Sequence, residues 1–240
     1  MPDPSPRVGV IVPAAGAGLR LGARQAKALV GLGEQPVLAW ALAGVEANRC
    51  VASVVVVTHP STAEAVVELV AARGFAKVAA VVPGGPTRRA SVAAGLAALP
   101  AGPTYVAVHD ACRPLVAAGA IDRLLESLQG MRDRCGIAPG APVTDTVRRV
   151  AGGDRSGGIV DREELRAIQT PQLFLRAALE EAHRRAASGG VTGDLDDAVL
   201  VERAGYPVAV VPGEPENLKI TTPLDLLAAE ALLARGGARR

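Results

Sequence analysis

Four short runs rich in β-branched residues, Val8 to Val12, Val54 to Val57, Val78 to Val82 and Tyr105 to Val108, punctuate the first half of the chain. Each has the length of a strand buried on both faces. The segments between them, Pro36 to Asn48, Ser61 to Arg73 and Thr87 to Leu99, are longer and carry helical spacing. Parallel neighbours need a crossover, and only a right-handed one packs back onto the sheet, so this alternation predicts βαβ units. The expected fold is α/β, a Rossmann-like, mostly parallel sheet flanked by helices, with the ligand at the carboxyl ends of the strands. A further helix, Ala117 to Gln129, follows the fourth run.

From Gly136 to about Arg166 the pattern changes, because glycine, proline and β-branched residues replace helical spacing. Thr144 to Val150 and Ile159 to Asp161 read as the two arms of a protruding β-hairpin, with GGDRSGG at 152–158 as its turn. Its pairing is weakly specified by sequence, so a partner chain is expected to cover it. Helices at Leu175 to Ala187 and Asp196 to Ala204, a strand at Val208 to Val211 and a last helix at Pro223 to Ala234 complete the pattern. No repeat and no linker interrupts it. A chain of 240 residues fits one large α/β domain, here 1–240 with an arm subdomain at about 140–166.

Composition removes several function classes. Apolar residues make up 49% of the chain and aromatic ones only 2%, so stacking platforms for single-stranded nucleic acid are not expected. The 26 basic residues are scattered among 24 acidic ones, leaving neither a nucleic-acid stripe nor a polybasic membrane patch. Cys50, Cys112 and Cys135 lack metal-ligand spacing and are odd in number, which fits reduced thiols in the cytoplasm. The opening MPDPSPR reads as a loose tip before a buried strand rather than as a signal peptide, since Asp3 and three prolines spoil the charged start. No apolar stretch reaches the roughly eighteen residues of a membrane span.

The first strand runs into Pro13, Ala14, Ala15, Gly16, Ala17, Gly18, Leu19, Arg20, Leu21 and Gly22, with Lys27 following. Small residues let backbone approach a ligand closely, and consecutive amides in such a turn cradle phosphate oxygens. A dinucleotide fingerprint needs G-x-G-x-x-G and an acidic end to the second strand. Here the third glycine comes one position late, and that strand ends in Thr58 and His59. The ATPase loop needs a Gly-Lys pair, which the chain lacks. The remaining pattern, A-A-G-x-G-x-R-x-G and then a lysine, resembles the nucleotidyltransferases that transfer a nucleoside monophosphate to a phosphorylated acceptor. Ala26 stands where that superfamily usually has a proline.

Within the superfamily, the other motifs are similar to those of the 2-C-methyl-D-erythritol 4-phosphate cytidylyltransferases, over roughly Val8 to Glu230. Gly84, Gly85, Arg88, Ser91 and Val92 match G-G-x-x-R-x-x-S-V, with Pro86 where the family often has an acidic residue. Val108, His109, Asp110, Ala111, Cys112, Arg113 and Pro114 match V-H-D-A-A-R-P. Pro142, Thr144, Asp145, Thr146 and Val147, then Val160, Asp161 and Arg162, resemble P-V-x-D-T and V-D-R. Gln169, Thr170, Pro171 and Gln172 match a T-P-Q turn, and Glu216 to Thr221 matches N-x-K-x-T. Of only three lysines, Lys27 and Lys219 fall on motif positions and Lys77 does not.

The resemblance implies the roles. Ala14, Ala15, Gly16, Gly18, Gly85, Arg88, Ser91 and Ala111 would bind the nucleotide. Arg20, Lys27, Lys219 and Arg162 would be catalytic. Asp110, Arg113, Thr146, Arg162, Thr170 and Lys219 would bind the acceptor, with Asp110 also a candidate magnesium ligand and Arg113 either bracing that carboxylate or meeting phosphate. His109 is expected to be structural. In the family the arm crosses to the neighbouring subunit, so a homodimer is implied, with CTP and a small sugar-alcohol phosphate as partners. The implied reaction is magnesium-dependent transfer of CMP from CTP to 2-C-methyl-D-erythritol 4-phosphate, with release of pyrophosphate, in non-mevalonate isoprenoid biosynthesis. The alternatives are a ribitol 5-phosphate cytidylyltransferase and a catalytically silent nucleotide-binding protein of the same fold.

Overall fold

The computed structural model describes residues 7–16, 26–189 and 196–237. β1 (Val8–Pro13) lies between β4 (Val51–Thr58) and β6 (Tyr105–Val108), parallel to both, and β5 (Val78–Pro83) pairs parallel to β4. These are the four runs read from the sequence. The crossovers carry α1 (Val37–Glu46), α2 (Ala63–Arg73) and α3 (Arg88–Ala98), and α4 (Ala120–Gln129) follows β6. A small antiparallel pair, β2 (Gly31–Leu32) and β3 (Gln35–Pro36), precedes α1.

Side chains alternate across a strand, and here each face has its own core. Val8, Val10 and Val12 of β1 with Val54 and Val56 of β4 pack against Leu38 and Leu42 of α1 and Leu124 and Leu128 of α4. Ile11, Val55 and Val57 face the other way, toward Val92 and Leu96 of α3. α3 approaches this face closely at Gly95, where a β-carbon would stand 2.4 Å from Ile11 Cγ2. Leu179 and Ala182 of α5 (Arg176–Ser188) and Leu200 and Val201 of α6 (Asp197–Arg203) extend the same core.

The sheet departs from the parallel reading beyond β6. β7 (Gly136–Pro142), β10 (Arg166–Ile168) and β11 (Gln172–Leu175) are strands that the sequence did not announce. β11 runs antiparallel to both β6 and β7, β10 pairs antiparallel with the end of β7, and β12 (Val208–Pro212) pairs parallel along it. β7, sequence GIAPGAP, has poor strand propensity; pairing on both edges overrides it. Gln172, expected in a turn, opens β11 and is buried.

The hairpin forms from β8 (Val147–Ala151) and β9 (Arg155–Val160), which pair only with each other. Its turn is tighter than expected, because Gly152 and Gly153 adopt φ of 58° and 86° and β9 already begins at Arg155. Val150 and Ile159 on these strands are each 68% exposed. α7 (Pro223–Gly237) closes the described chain, with Ala229 packed beside Leu32, Val37 and Ile220. Among the described residues, no helix is long and apolar enough to cross a membrane.

Candidate active site

The site assembles where β1, β5 and β6 end. Beyond β1 the chain is tied down by Ala14 N, which donates to Val57 O at 2.6 Å. Gly84, just past β5, donates its N–H to Thr58 O at 2.7 Å. A β-carbon on Gly84 would stand 2.8 Å from both Ala15 Cβ and Ser91 Oγ, so only glycine lets these two loop stems meet. Thr87 caps α3 by accepting from Ala90 N at 3.1 Å. Ser91, expected to bind nucleotide, is buried, and its hydroxyl accepts from Gly85 N at 3.2 Å while donating to Thr87 O at 3.0 Å. Its local effect is therefore to hold the Gly85 backbone. Gly16 is exposed, with no atom of the described residues within 4 Å of where a β-carbon would stand, and Ala111 is buried against the end of β1, its N–H facing Pro13 O at 3.4 Å.

His109 is fully buried, as expected, and burial drives its pKa down to about 4. Nε2 lies 3.1 Å from Arg113 O, and a carbonyl can only accept, so Nε2 carries the proton. Nδ1 then accepts from the Thr170 hydroxyl at 3.2 Å, and the same Thr170 oxygen accepts from Asp110 N at 2.9 Å. The neutral imidazole thus fixes Thr170, and Thr170 fixes the backbone of Asp110.

The Asp110 carboxylate receives Lys219 Nζ on Oδ2 at 2.7 Å and Arg88 Nε on Oδ1 at 3.2 Å. Arg88 Nη1 continues to Asp197 Oδ2 at 2.7 Å, and Asp197 Oδ1 meets His183 Nε2 at 3.0 Å. Charges alternate along the chain from Lys219 to Asp197. Burial opposes ionisation of Asp110, but the attraction of Arg88 and then Lys219 outweighs it, holding the carboxyl well below the usual range. Burial likewise opposes the Arg88 charge, and Asp197 and Asp110 together raise its pKa.

Arg113, expected either to brace the Asp110 carboxylate or to meet phosphate, helps to hold that carboxyl down through space without touching it. Instead of pairing with the Asp110 carboxylate, it donates to Asn217 O at 2.7 Å and to Ile168 O at 3.2 Å, joining the strand-end loop to the N-x-K-x-T segment. Asn217 in turn donates from Nδ2 to Thr170 O at 2.8 Å. Lys219, two residues on, is 41% exposed along its side chain and reaches toward solvent as well as toward Asp110. Burial and Asp110 push the Cys112 thiol up, whereas Lys27 and Lys219 pull against them, so both lysines act on the same spot.

Thr146 and Arg162 are exposed on the arm, with Arg162 Nη1 donating to Thr144 O at 2.6 Å. No hydrogen bond or ion pair among the described residues joins them to the Asp110 cluster. Gly18 and Arg20 lie outside the described residues. Among the described residues no group of three or more His, Cys, Asp or Glu side chains could cage a metal. Sequence reasoning missed Asp197 and His183. The available signal was the doubled Asp196–Asp197 ahead of α6: Asp196 caps the helix by accepting from Val199 N at 3.0 Å, which leaves Asp197 for another task.

Comparison with known proteins places this geometry in context. The model of the family described as "IspD: 2-C-methyl-D-erythritol 4-phosphate cytidylyltransferase" matches residues 8–235. A 2-C-methyl-D-erythritol 4-phosphate cytidylyltransferase of Streptomyces coelicolor is 43% identical over 238 residues, covering 95% of this chain and 86% of that protein. One of Streptomyces avermitilis is 42% identical, covering 98% of this chain and 95% of that protein. The crystal structure of the Thermus thermophilus protein of the same name superposes with a TM-score of 0.75 at 38% identity, over 93% of this chain and 98% of that one.

Proposed function

The chain belongs to the family of 2-C-methyl-D-erythritol 4-phosphate cytidylyltransferases, and from that premise we propose which of its residues carry the reaction. It transfers CMP from CTP to 2-C-methyl-D-erythritol 4-phosphate in isoprenoid biosynthesis, giving 4-diphosphocytidyl-2-C-methyl-D-erythritol and pyrophosphate.

The observation that carries our reading is the Asp110 carboxylate held between Lys219 and Arg88 just past the end of β6. The reaction is in-line attack by an acceptor phosphate oxygen on the α-phosphorus of CTP, breaking the bond to pyrophosphate. That oxygen is already anionic at neutral pH, so the protein supplies position and positive charge rather than a base. Ala14, Ala15, Gly16 and Gly18 wrap the triphosphate, and Lys27 with Arg20 offsets charge on the α-phosphorus and leaving group. Gly85, held by Ser91, and Ala111 line the nucleotide end. Arg88 acts through Asp110. Lys219, Asp110, Thr170 and Arg113 form the acceptor end.

Magnesium fits this donor set as an ion that arrives on CTP rather than in a protein cage, with Asp110 as its candidate carboxylate ligand. When bound it neutralises phosphate charge. The arm at about 140–166 completes a homodimer in which Thr146 and Arg162 serve the neighbour's acceptor phosphate; the apolar exposure of Val150 and Ile159 supports such a partner. The three free cysteines fit a cytoplasmic enzyme with a single 1–240 domain. The test is pyrophosphate release from CTP, with and without magnesium, offering methylerythritol phosphate and ribitol 5-phosphate separately. Magnesium-dependent release with the first alone is expected, and release without the metal would remove it from the mechanism.

A further inference from the structure

Two buried side-chain amides, Gln169 and Asn217, join the stretch that carries Thr170 to the segment that carries Lys219. Gln169 exchanges two hydrogen bonds with the backbone of Glu214: Nε2 donates to Glu214 O at 2.8 Å, and Oε1 accepts from Glu214 N at 3.1 Å. Asn217 returns the tie from the other side, donating from Nδ2 to Thr170 O at 2.8 Å. Gln169 and Thr170 are thus bound to Glu214 and Asn217 reciprocally, and Asn217 N closes the turn between by donating to Glu214 O at 3.0 Å. A β-carbon on Gly213 would stand 2.6 Å from Gln169 Oε1, so a side chain there would push this amide aside. Serving one residue's N–H and C=O together takes a donor and an acceptor on one group, which an ionised carboxylate or an alkyl chain lacks.

We propose that Gln169 and Asn217 are positioning residues of the acceptor end, a clamp that sets where Lys219 stands against Asp110. The proposal rests on the reading of Lys219 as the cation that aims the acceptor phosphate. One side of the clamp ends in Thr170, whose hydroxyl oxygen accepts from Asp110 N at 2.9 Å. The other side runs two residues on from Asn217 to Lys219, whose Nζ lies 2.7 Å from Asp110 Oδ2. Arg113, donating to Asn217 O at 2.7 Å, and Ile220 N, donating to Cys112 O at 2.8 Å, fasten the same segment to the strand-end loop. The Lys219 side chain is too exposed for packing to aim it, so the placement of its backbone decides where the ammonium reaches. A shift of about 1 Å in such a group costs up to roughly 100-fold in rate.

The test is a double-mutant cycle on the full chain, following pyrophosphate release at varied methylerythritol phosphate and varied CTP. Gln169→Met and, independently, Asn217→Leu keep the side-chain size and remove the amide. Each is expected to lower kcat/KM for the acceptor about tenfold while changing the KM for CTP by less than about twofold. In a Lys219→Met background the same substitutions are expected to cost less than about twofold more, because the group they displace is already gone. Equal losses in both backgrounds, a matching rise in the KM for CTP, or no loss from either substitution overturns the clamp. Should neither variant unfold cooperatively, the amides hold the fold rather than Lys219, and the proposal falls. Lys219→Met that leaves the acceptor kcat/KM unchanged sinks the reading of Lys219 and the clamp with it, whereas additive losses beside a large Lys219→Met loss sink the clamp alone.

Discussion

Asp110 and Asp197 share one guanidinium: Arg88 reaches Asp110 with Nε at 3.2 Å and Asp197 with Nη1 at 2.7 Å. Asp110 stands just past a strand end that the sequence marked as chemical, whereas Asp197 begins α6, which packs against α5 and β7, and is fully buried. The shared cation therefore transmits the placement of α6 to the carboxylate that positions Lys219. Removing one member of a buried ionic chain leaves an uncompensated charge, which is far more costly than the net worth of the pair.

Asp197→Asn is expected to destabilise the fold by roughly 3 kcal/mol, the lower end for breaking a buried pair. Coupling within one ionic network runs at roughly 0.5–3 kcal/mol, so kcat/KM should also fall about tenfold. Denaturant unfolding and pyrophosphate-release kinetics on the same protein separate the two effects. Lower stability with unchanged kcat/KM would make Asp197 a packing residue and nothing more.

Lys219 stands differently, because its own side chain is 41% exposed although its partner Asp110 is buried. Lys219→Met leaves Arg88 on the Asp110 carboxylate, so it is expected to lower the unfolding midpoint, but by less than Asp197→Asn does. The loss of a cation aimed at the acceptor phosphate should lower kcat/KM for the acceptor by ~100-fold, with a smaller change in KM for CTP. A change confined to the KM for CTP would move Lys219 to the nucleotide end.

The extent to which this site was legible follows from where its information resides. The strands of the βαβ half are written locally as β-branched runs, and the fold honours each within a few residues. β7 is not written locally: GIAPGAP becomes a strand only because β11, β10 and β12 pair with it from distant parts of the chain. Lys219, Asp110 and Thr170 were recognisable as motif residues, and the structure does bring them together. Arg113 was expected either to brace the Asp110 carboxylate or to meet phosphate; its hydrogen bonds go to carbonyls while its charge still favours the carboxylate, and the direct ion pair is made by the more distant Arg88.

His109 predicts a pH dependence of stability. Below about pH 6.5 the unfolded chain takes a proton on this imidazole, which the buried side chain refuses until about pH 4. The unfolded state binds more protons in that window, so stability falls as pH drops from about 6.5 to 4, by roughly 3 kcal/mol in all. Asp110, depressed in the folded state, adds a loss in the same direction only below about pH 4. Unfolding midpoints at pH 7.5, 5.5 and 4.5 should show the slope in the native protein, and His109→Gln should flatten it between 6.5 and 4. An identical slope in the variant would assign the effect elsewhere.

The arm can be assigned to its own site or to a neighbour's by mixing subunits. Lys219→Ala disables the core of a site and Arg162→Ala disables the arm, so each homodimer is expected to be nearly inactive. In a mixed dimer with arms that cross, one site combines both defects, and the other combines an intact core with an intact arm. Random assembly of equal amounts makes half of the dimers mixed, so the pool should regain about a quarter of native activity. With arms that serve their own subunit, every site in the pool carries a defect and no activity returns. Co-refolding the two variants and measuring pyrophosphate release distinguishes the cases. The exposed Val150 and Ile159 of the unpartnered hairpin lead us to expect the quarter.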